Sequence, residues 1–210
     1  MMDTQGALII FAKAPVAGKV KTRLIPDIGC EKATGLYCEL LTKTLDTATM
    51  TKVANIHLWV NGDIDHPYFK KREDKQKFKF FNQTGQDLGQ RMFNAFELTL
   101  KTFSYAVLIG SDCPSLLSSE LESAMTSLEN GKELILGPAE DGGYYLIGLR
   151  KNHIEIFSNI EWGGDDVFSE TYARAKQMNL DIELMSRKRD IDRLSDLNTY
   201  LKLKRQEAVT

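Results

Sequence analysis

The sequence predicts an α/β fold with a mainly parallel sheet and helices on both faces, carried by a single domain spanning residues 1–210. Three observations predict it. Short, continuously apolar runs such as Ala7 to Ala12 (ALIIFA) have strand length and no polar face, as strands covered on both sides do. These runs alternate with longer stretches whose apolar residues recur every three or four positions. The polar, glycine-bearing loops follow the apolar runs, where the ligand crevice of such a sheet lies.

Taken in order, Ala7 to Ala12 is the first strand, and Cys30 to Met50 is a helix on the spacing of Leu36, Leu40, Leu41 and Leu45. Val53 to Val60 is a second strand. The charged stretch Asp63 to Lys77 holds a short helix or an exposed loop, and Phe78 to Phe81 is a short strand. Asp87 to Phe103 is helical through Leu88, Met92, Phe96 and Leu100, and Tyr105 to Ile109 is a strand that stops at Gly110-Ser111-Asp112. Leu117 to Leu128 is a helix opened by Ser118 or Ser119, with Glu122 available for a capping box. Leu134 to Leu136 and Tyr144 to Leu149 are strands on either side of a glycine-rich connection. Asp165 to Gln177, Ile182 to Met185 and Ser195 to Lys204 complete the chain as helix, strand and helix. No internal repeat or linker interrupts this order.

The net charge of −2 shows no overall basic bias, so bulk nucleic-acid binding is not indicated, although a local basic patch stays possible. Cys30, Cys38 and Cys113 are widely spaced and form no CxxC pair, which fits neither a disulfide framework nor a zinc site and suits a reducing cytosol. The opening MMDTQG has no charged and apolar leader pattern, and no apolar run reaches the roughly 20 residues a bilayer requires. The expectation is a soluble cytoplasmic protein with no membrane partner. Oligomeric state is not legible. His57, His66 and His153 have no metal spacing and are assigned no chemistry.

Three loops carry the candidate chemistry. Phe11 to Leu24 (FAKAPVAGKVKTRL) gathers Lys13, Lys19, Lys21 and Arg23 among small residues. It is neither a Walker A loop, since Lys13 stands where a glycine is needed and Val20 follows Lys19, nor a dinucleotide fingerprint, since Gly18 is its one glycine. Low bulk at Gly18 lets backbone N–H groups approach a phosphate that Lys and Arg neutralise. The alternative is a solvated charged loop. Asp112, straight after an apolar strand, suits a hard divalent ion, or else caps the turn before Pro114. Cys113 beside it reads as a packed residue. Glu140-Asp141-Gly142-Gly143 is either a tight turn or a loop that accepts hydroxyl protons, with Tyr144 and Tyr145 adding aromatic surface. Beyond these three, Glu161 to Asp166 repeats the pattern of carboxylate, aromatic and glycine, where Asp165 or Asp166 also suits a helix N-terminus.

Five ordered segments carry a resemblance: FAKAPVAGKVKTRL, GQDLGQRM (85–92), LIGSDCPSL (108–116), GPAEDGGYYLIGL (137–149) and RDIDRLSDL (189–197). Together they resemble the GT-A-fold nucleotide-diphospho-sugar transferase-like family, formerly a domain of unknown function. Some of its members are labelled glycosyltransferases, including ones tied to arsenosugar biosynthesis. The same superfamily contains guanylyltransferases. The resemblance implies a GT-A fold with Lys13, Lys21 and Arg23 at the donor's phosphates, and with Arg91, in the LGxRM element, serving nucleotide binding or the structure of the site. It implies Asp112 as metal carboxylate in place of a DxD pair, with Asp166 as a second carboxylate holding Mg²⁺ or Mn²⁺. Glu140, Asp141, Gly142 and Gly143 would face donor sugar or acceptor, beside Tyr144 and Trp162, with Glu140 or Asp141 as general base. The last segment, with Arg193 where relatives have a small turn, reads as fold-forming.

The expected activity is transfer from a nucleoside-diphosphate sugar to a small acceptor. Nucleotidyl transfer with release of pyrophosphate is the alternative, and a nucleotide-binding module without turnover is the third.

Overall fold

The computed structural model describes residues 6–207. The opening segment MMDTQG, on which the expectation of no leader rests, therefore lies mostly outside the described residues. The strands are β1 (Gly6–Lys13), β2 (Ile56–Asn61), β3 (Phe78–Asn82), β4 (Tyr105–Ile109), β5 (Leu134–Pro138), β6 (Tyr144–Leu149) and β7 (Ile182–Leu184). The helices are α1 (Ile25–Ile28), α2 (Cys30–Thr49), α3 (Pro67–Lys70), α4 (Leu88–Thr99), α5 (Ser118–Glu129), α6 (Val167–Gln177) and α7 (Leu194–Glu207).

All seven strands join one sheet in the order β3-β2-β1-β4-β6-β5-β7. β1 pairs in parallel with β2 and β4, β2 with β3, and β5 with β7, while β6 runs antiparallel between β4 and β5. The chain goes from β1 outward to β2 and β3, then returns to lay β4 on the other side of β1. That reversal makes the carboxyl ends of β1 and β4 a topological switch point, where crevices of open α/β sheets form.

Alternation along β1 divides the core. Leu8, Ile10 and Ala12 face a cluster completed by Leu41 and Leu45 of α2, Leu121 and Leu128 of α5 and Phe69 of α3. Ile9 and Phe11 face the opposite cluster, with Met92 and Phe96 of α4 and Ala175 of α6. A continuously apolar strand is the sequence consequence of burying both faces. α7 packs outside this frame, where Ile191 and Leu197 meet Leu40 of α2.

Boundaries depart from the sequence expectations for local reasons. The second strand starts at Ile56 rather than Val53. The charged stretch after it forms α3 and a 3₁₀ turn at Lys75–Lys77, tied down by Arg72, which pairs with Asp46 at 2.7 Å and Asp74 at 2.8 Å. Glu120, not Glu122, serves the start of α5, accepting from the Leu117 N–H at 2.9 Å; Glu122 accepts from the Lys52 N–H. The helix expected from Asp165 begins at Val167. Among the described residues no helix is long and apolar enough to cross a membrane.

Candidate active site

A cleft of about 500 Å³ opens at the carboxyl ends of β1 and β4. Its cationic side is built on the end of β1. The Tyr37 hydroxyl, from α2, accepts from the Lys13 N–H at 2.6 Å and donates to the Lys13 carbonyl at 3.0 Å, which fixes the exit of the strand. Lys13 lines the cleft, as do Lys21, Arg23 and Arg91. Lys21 adopts a left-handed backbone, φ 46 and ψ 41, uncommon for a non-glycine residue. Gly18 lies in the same loop at φ 79 without lining the cleft.

The anionic side comes from loops at the same edge of the sheet. Asp112 follows β4, and its Oδ1 stands 2.6 Å from the Lys21 ammonium. Asp192 meets the same ammonium at 2.9 Å and Arg23 at 3.5 Å. Burial alone would push the Asp192 carboxyl up, but Lys21 and Arg23 hold it below the usual carboxylate value. For Lys21, burial works against the charge, and Asp112 with Asp192 outweighs it, so the ammonium is held above its ordinary value. Asp190 also lines the cleft. Its Oδ1 is buried and accepts no hydrogen bond among the described residues. Burial, then the charges of Asp112, Asp141 and Asp192, push this carboxyl up to about 7.

The turn between β5 and β6 closes the third side. Asp141 lines the cleft and accepts from the Gly143 N–H at 3.0 Å. Gly142 turns the chain at φ 91, and a Cβ there would stand 1.9 Å from the Asp165 carbonyl oxygen, so only glycine lets the turn pack on the loop before α6. Tyr144, Trp162 and Met92 form an apolar wall. The two rings meet edge to face at 6.4 Å, and the Tyr144 hydroxyl points to the Met92 sulfur at 3.9 Å. Gly89 of α4 lets Trp162 approach, since a Cβ would come within 2.6 Å of the indole.

The structure thus brings Lys13, Lys21, Arg23 and Arg91 to one cleft with Asp112 and Asp141, and Gly143, Tyr144 and Trp162 border it. Four expected site residues stand elsewhere, and Gly18 is one of them, turning the basic loop at φ 79 outside the lining. Glu140 is outside the lining and binds Arg189 through its Oε2, at 2.7 Å and 2.6 Å. Asp166, expected as a second metal carboxylate, is exposed at the head of α6 and does not line the cleft. Gly142 packs on Asp165 instead of facing a ligand. The carboxylates that sequence reasoning missed are Asp190 and Asp192. Both sit in the RDIDRLSDL segment, which reads as fold-forming. The usable signal was position, because the segment follows the last short strand just as the other site loops follow theirs.

A divalent ion suits this donor set in part. Among the described residues no group of three or more His, Cys, Asp or Glu side chains is arranged to hold one. Asp112 and the unpartnered buried Asp190 Oδ1 are nevertheless hard oxygen donors, and Mg²⁺ is commonly held by one or two carboxylates with substrate phosphates completing its shell.

Comparison with known proteins agrees with this architecture. A candidate nucleotide-diphospho-sugar transferase from Desulfovibrio desulfuricans G20 is similar at 33% identity with a TM-score of 0.85, covering 93% of this chain and 85% of that one. CMP:2-keto-3-deoxy-manno-octonic acid synthetase, solved with CTP, shares the fold at 10% identity and a TM-score of 0.63, over 97% of this chain and 99% of its own. Rv0371c of Mycobacterium tuberculosis H37Rv, solved with manganese, does so at 15% identity and a TM-score of 0.59, over 95% and 98%. No curated protein matches the sequence. The fold is that of the nucleotide-diphospho-sugar transferases. With a family profile matched over residues 44–164 and a relative 33% identical along nearly its whole length, the chain belongs to the DUF2064 family, uncharacterized proteins conserved in bacteria.

Proposed function

We propose that this protein is a cytoplasmic transferase that takes a nucleoside-diphosphate sugar as donor and glycosylates a small acceptor. One observation carries the reading: a basic loop and four loop carboxylates, Asp112, Asp141, Asp190 and Asp192, converge in one cleft, with the Lys21 ammonium 2.6 Å from Asp112. The similarity to a candidate nucleotide-diphospho-sugar transferase supports it.

Breaking the bond between sugar and diphosphate leaves negative charge on the diphosphate. Lys13, Lys21 and Arg23 are the groups available to receive it, and Arg23 can grip two phosphate oxygens at once. Asp112 and Asp190 would hold a divalent ion, Mg²⁺ or Mn²⁺; when bound, it supplies positive charge at the leaving phosphates. Asp141 is the general base of this reading, because Glu140 is engaged by Arg189. Tyr144 and Trp162 give the acceptor an apolar face to lie against.

Nucleotidyl transfer is the second reading, favoured by the likeness to the CTP-bound synthetase along 97% of the chain. Product analysis separates the two. Nucleoside diphosphate released from a nucleotide sugar supports sugar transfer, and pyrophosphate released from a nucleoside triphosphate supports the second reading. Binding without either product returns the protein to a non-catalytic module. In whichever reaction is found, Asp112→Asn is expected to lower turnover by roughly 100-fold or more with an unchanged circular dichroism spectrum. A variant that turns over at the wild-type rate removes Asp112 from the mechanism.

A further inference from the structure

The Lys21 ammonium sits where oxygens of different origin converge: Asp112 Oδ1 at 2.6 Å, Asp192 Oδ1 at 2.9 Å and the Ile191 carbonyl at 2.6 Å. Carboxylates and carbonyls are the hard donors that Mg²⁺ and Mn²⁺ also take. The neighbouring cations of the loop are differently placed. Arg23 has a side chain 54% exposed and Lys13 is exposed, as suits groups that meet a ligand from solvent, whereas the Lys21 side chain is only 3% exposed. The backbone of Lys21 stands at φ 46, a left-handed conformation that L residues other than glycine rarely adopt. A buried ammonium on a strained backbone, satisfied by oxygen ligands, is built into the anionic site rather than held ready beside it.

We propose that Lys21 is the resident counter-cation of this carboxylate set and competes with a divalent ion for Asp112. In the nucleotide-free protein the ammonium links Asp112 to Asp192 and keeps affinity for a free dication low. A dication reaches Asp112 Oδ1 only as Lys21 gives that oxygen up, and a donor's phosphates are the acceptors to which the released ammonium turns. Donor and dication therefore favour each other's binding, each removing a cost the other would otherwise meet. This coupling rests on the phosphate-and-metal reading of the cleft, but the competition itself is tested without nucleotide.

The test is Mn²⁺ titration of the nucleotide-free chain, followed by the electron paramagnetic resonance signal of the free hexaaqua ion. Lys21→Met is expected to bind Mn²⁺ at least tenfold more tightly than wild type, and the double variant Lys21→Met/Asp112→Asn to lose that gain. Equal affinity in wild type and Lys21→Met, or a gain that survives Asp112→Asn, overturns the proposal. If circular dichroism shows that Lys21→Met does not fold, the wild type carries the test through amine acylation read by peptide mass spectrometry. Mn²⁺ is then expected to raise labelling of Lys21 severalfold relative to the exposed Lys101. Unchanged Lys21 labelling while the resonance signal shows Mn²⁺ bound overturns it. Neither arm contains nucleotide, so failure here leaves the transferase reading standing. Failure of that reading shows instead as no product from any donor.

Discussion

Glu140 and Asp141 are chain neighbours, yet Asp141 opens on the cleft and Glu140 is taken by Arg189. The sequence placed a carboxylate pair on a tight turn without telling which member faces inward, because a turn with Gly142 at φ 91 has no simple side-chain period. Asp190 was hidden differently: one of three aspartates in a short polar segment, it shows nothing in sequence of the burial that raises its carboxyl to about 7. His57 is another residue whose chemistry only the fold reveals. It is 5% exposed on β2, between Phe81 at 5.0 Å and Phe103 at 5.5 Å, and burial with Lys79 nearby pulls it down to about 4. The unfolded imidazole takes its proton near 6.5, so His57 leaves stability untouched above that pH and drains it as pH falls towards 4. Asp190 works in the opposite sense, its unfolded value near 3.8 lying below the folded one, so it lowers stability as pH rises from about 4 to 7. The difference in unfolding free energy between wild type and His57→Phe isolates the first effect. Urea melts should show it growing between pH 6.5 and 4, to at most about 3 kcal/mol, and a flat difference contradicts the assignment.

At the scale of elements, α4 links the fold to the cleft. Asp87 caps it, accepting from the Gln90 N–H at 2.8 Å, and the helix then delivers Arg91 and Met92 to the lining and Gly89 to Trp162. Asp87→Ala should cost about 1 kcal/mol of stability, within the usual range for a lost N-cap, and raise KM for the donor more than it lowers kcat. Chemical denaturation and steady-state kinetics check the two parts, and a change confined to kcat speaks against this positioning role. Elements of this kind were the most legible part of the chain. Apolar runs of strand length marked β1 and β4, and leucine spacing marked α2, because burial on both faces of a sheet leaves an unmistakable pattern. Ends were less legible. Val167 rather than Asp165 starts α6, since the loop before it is fixed by contact with Gly142, which no local pattern reports.

For the whole molecule, the sheet order decides what can meet. β1 and β4 are neighbours although β2 and β3 lie between them in sequence, so the basic loop and Asp112 share one crevice. A ligand held across that crevice touches both halves of the sheet and should stabilise them together. A nucleotide or nucleotide sugar present at a hundredfold its Kd, with Mn²⁺, is expected to add about 2.7 kcal/mol and to raise a single melting transition by roughly 5–10 °C. Calorimetry against a panel of donors checks this; a panel in which none moves the transition removes the cleft from consideration as a nucleotide site.

The contact between Lys21 and Asp192 joins residues 171 positions apart. During synthesis the basic loop is made well before Asp192, which follows Lys21 by 171 residues. Until then Lys21 has Asp112 but neither Asp190 nor Asp192 has joined the cleft, so its anionic side is incomplete. Competence thus arrives late and all at once, so truncated translation products should lack a partly working site.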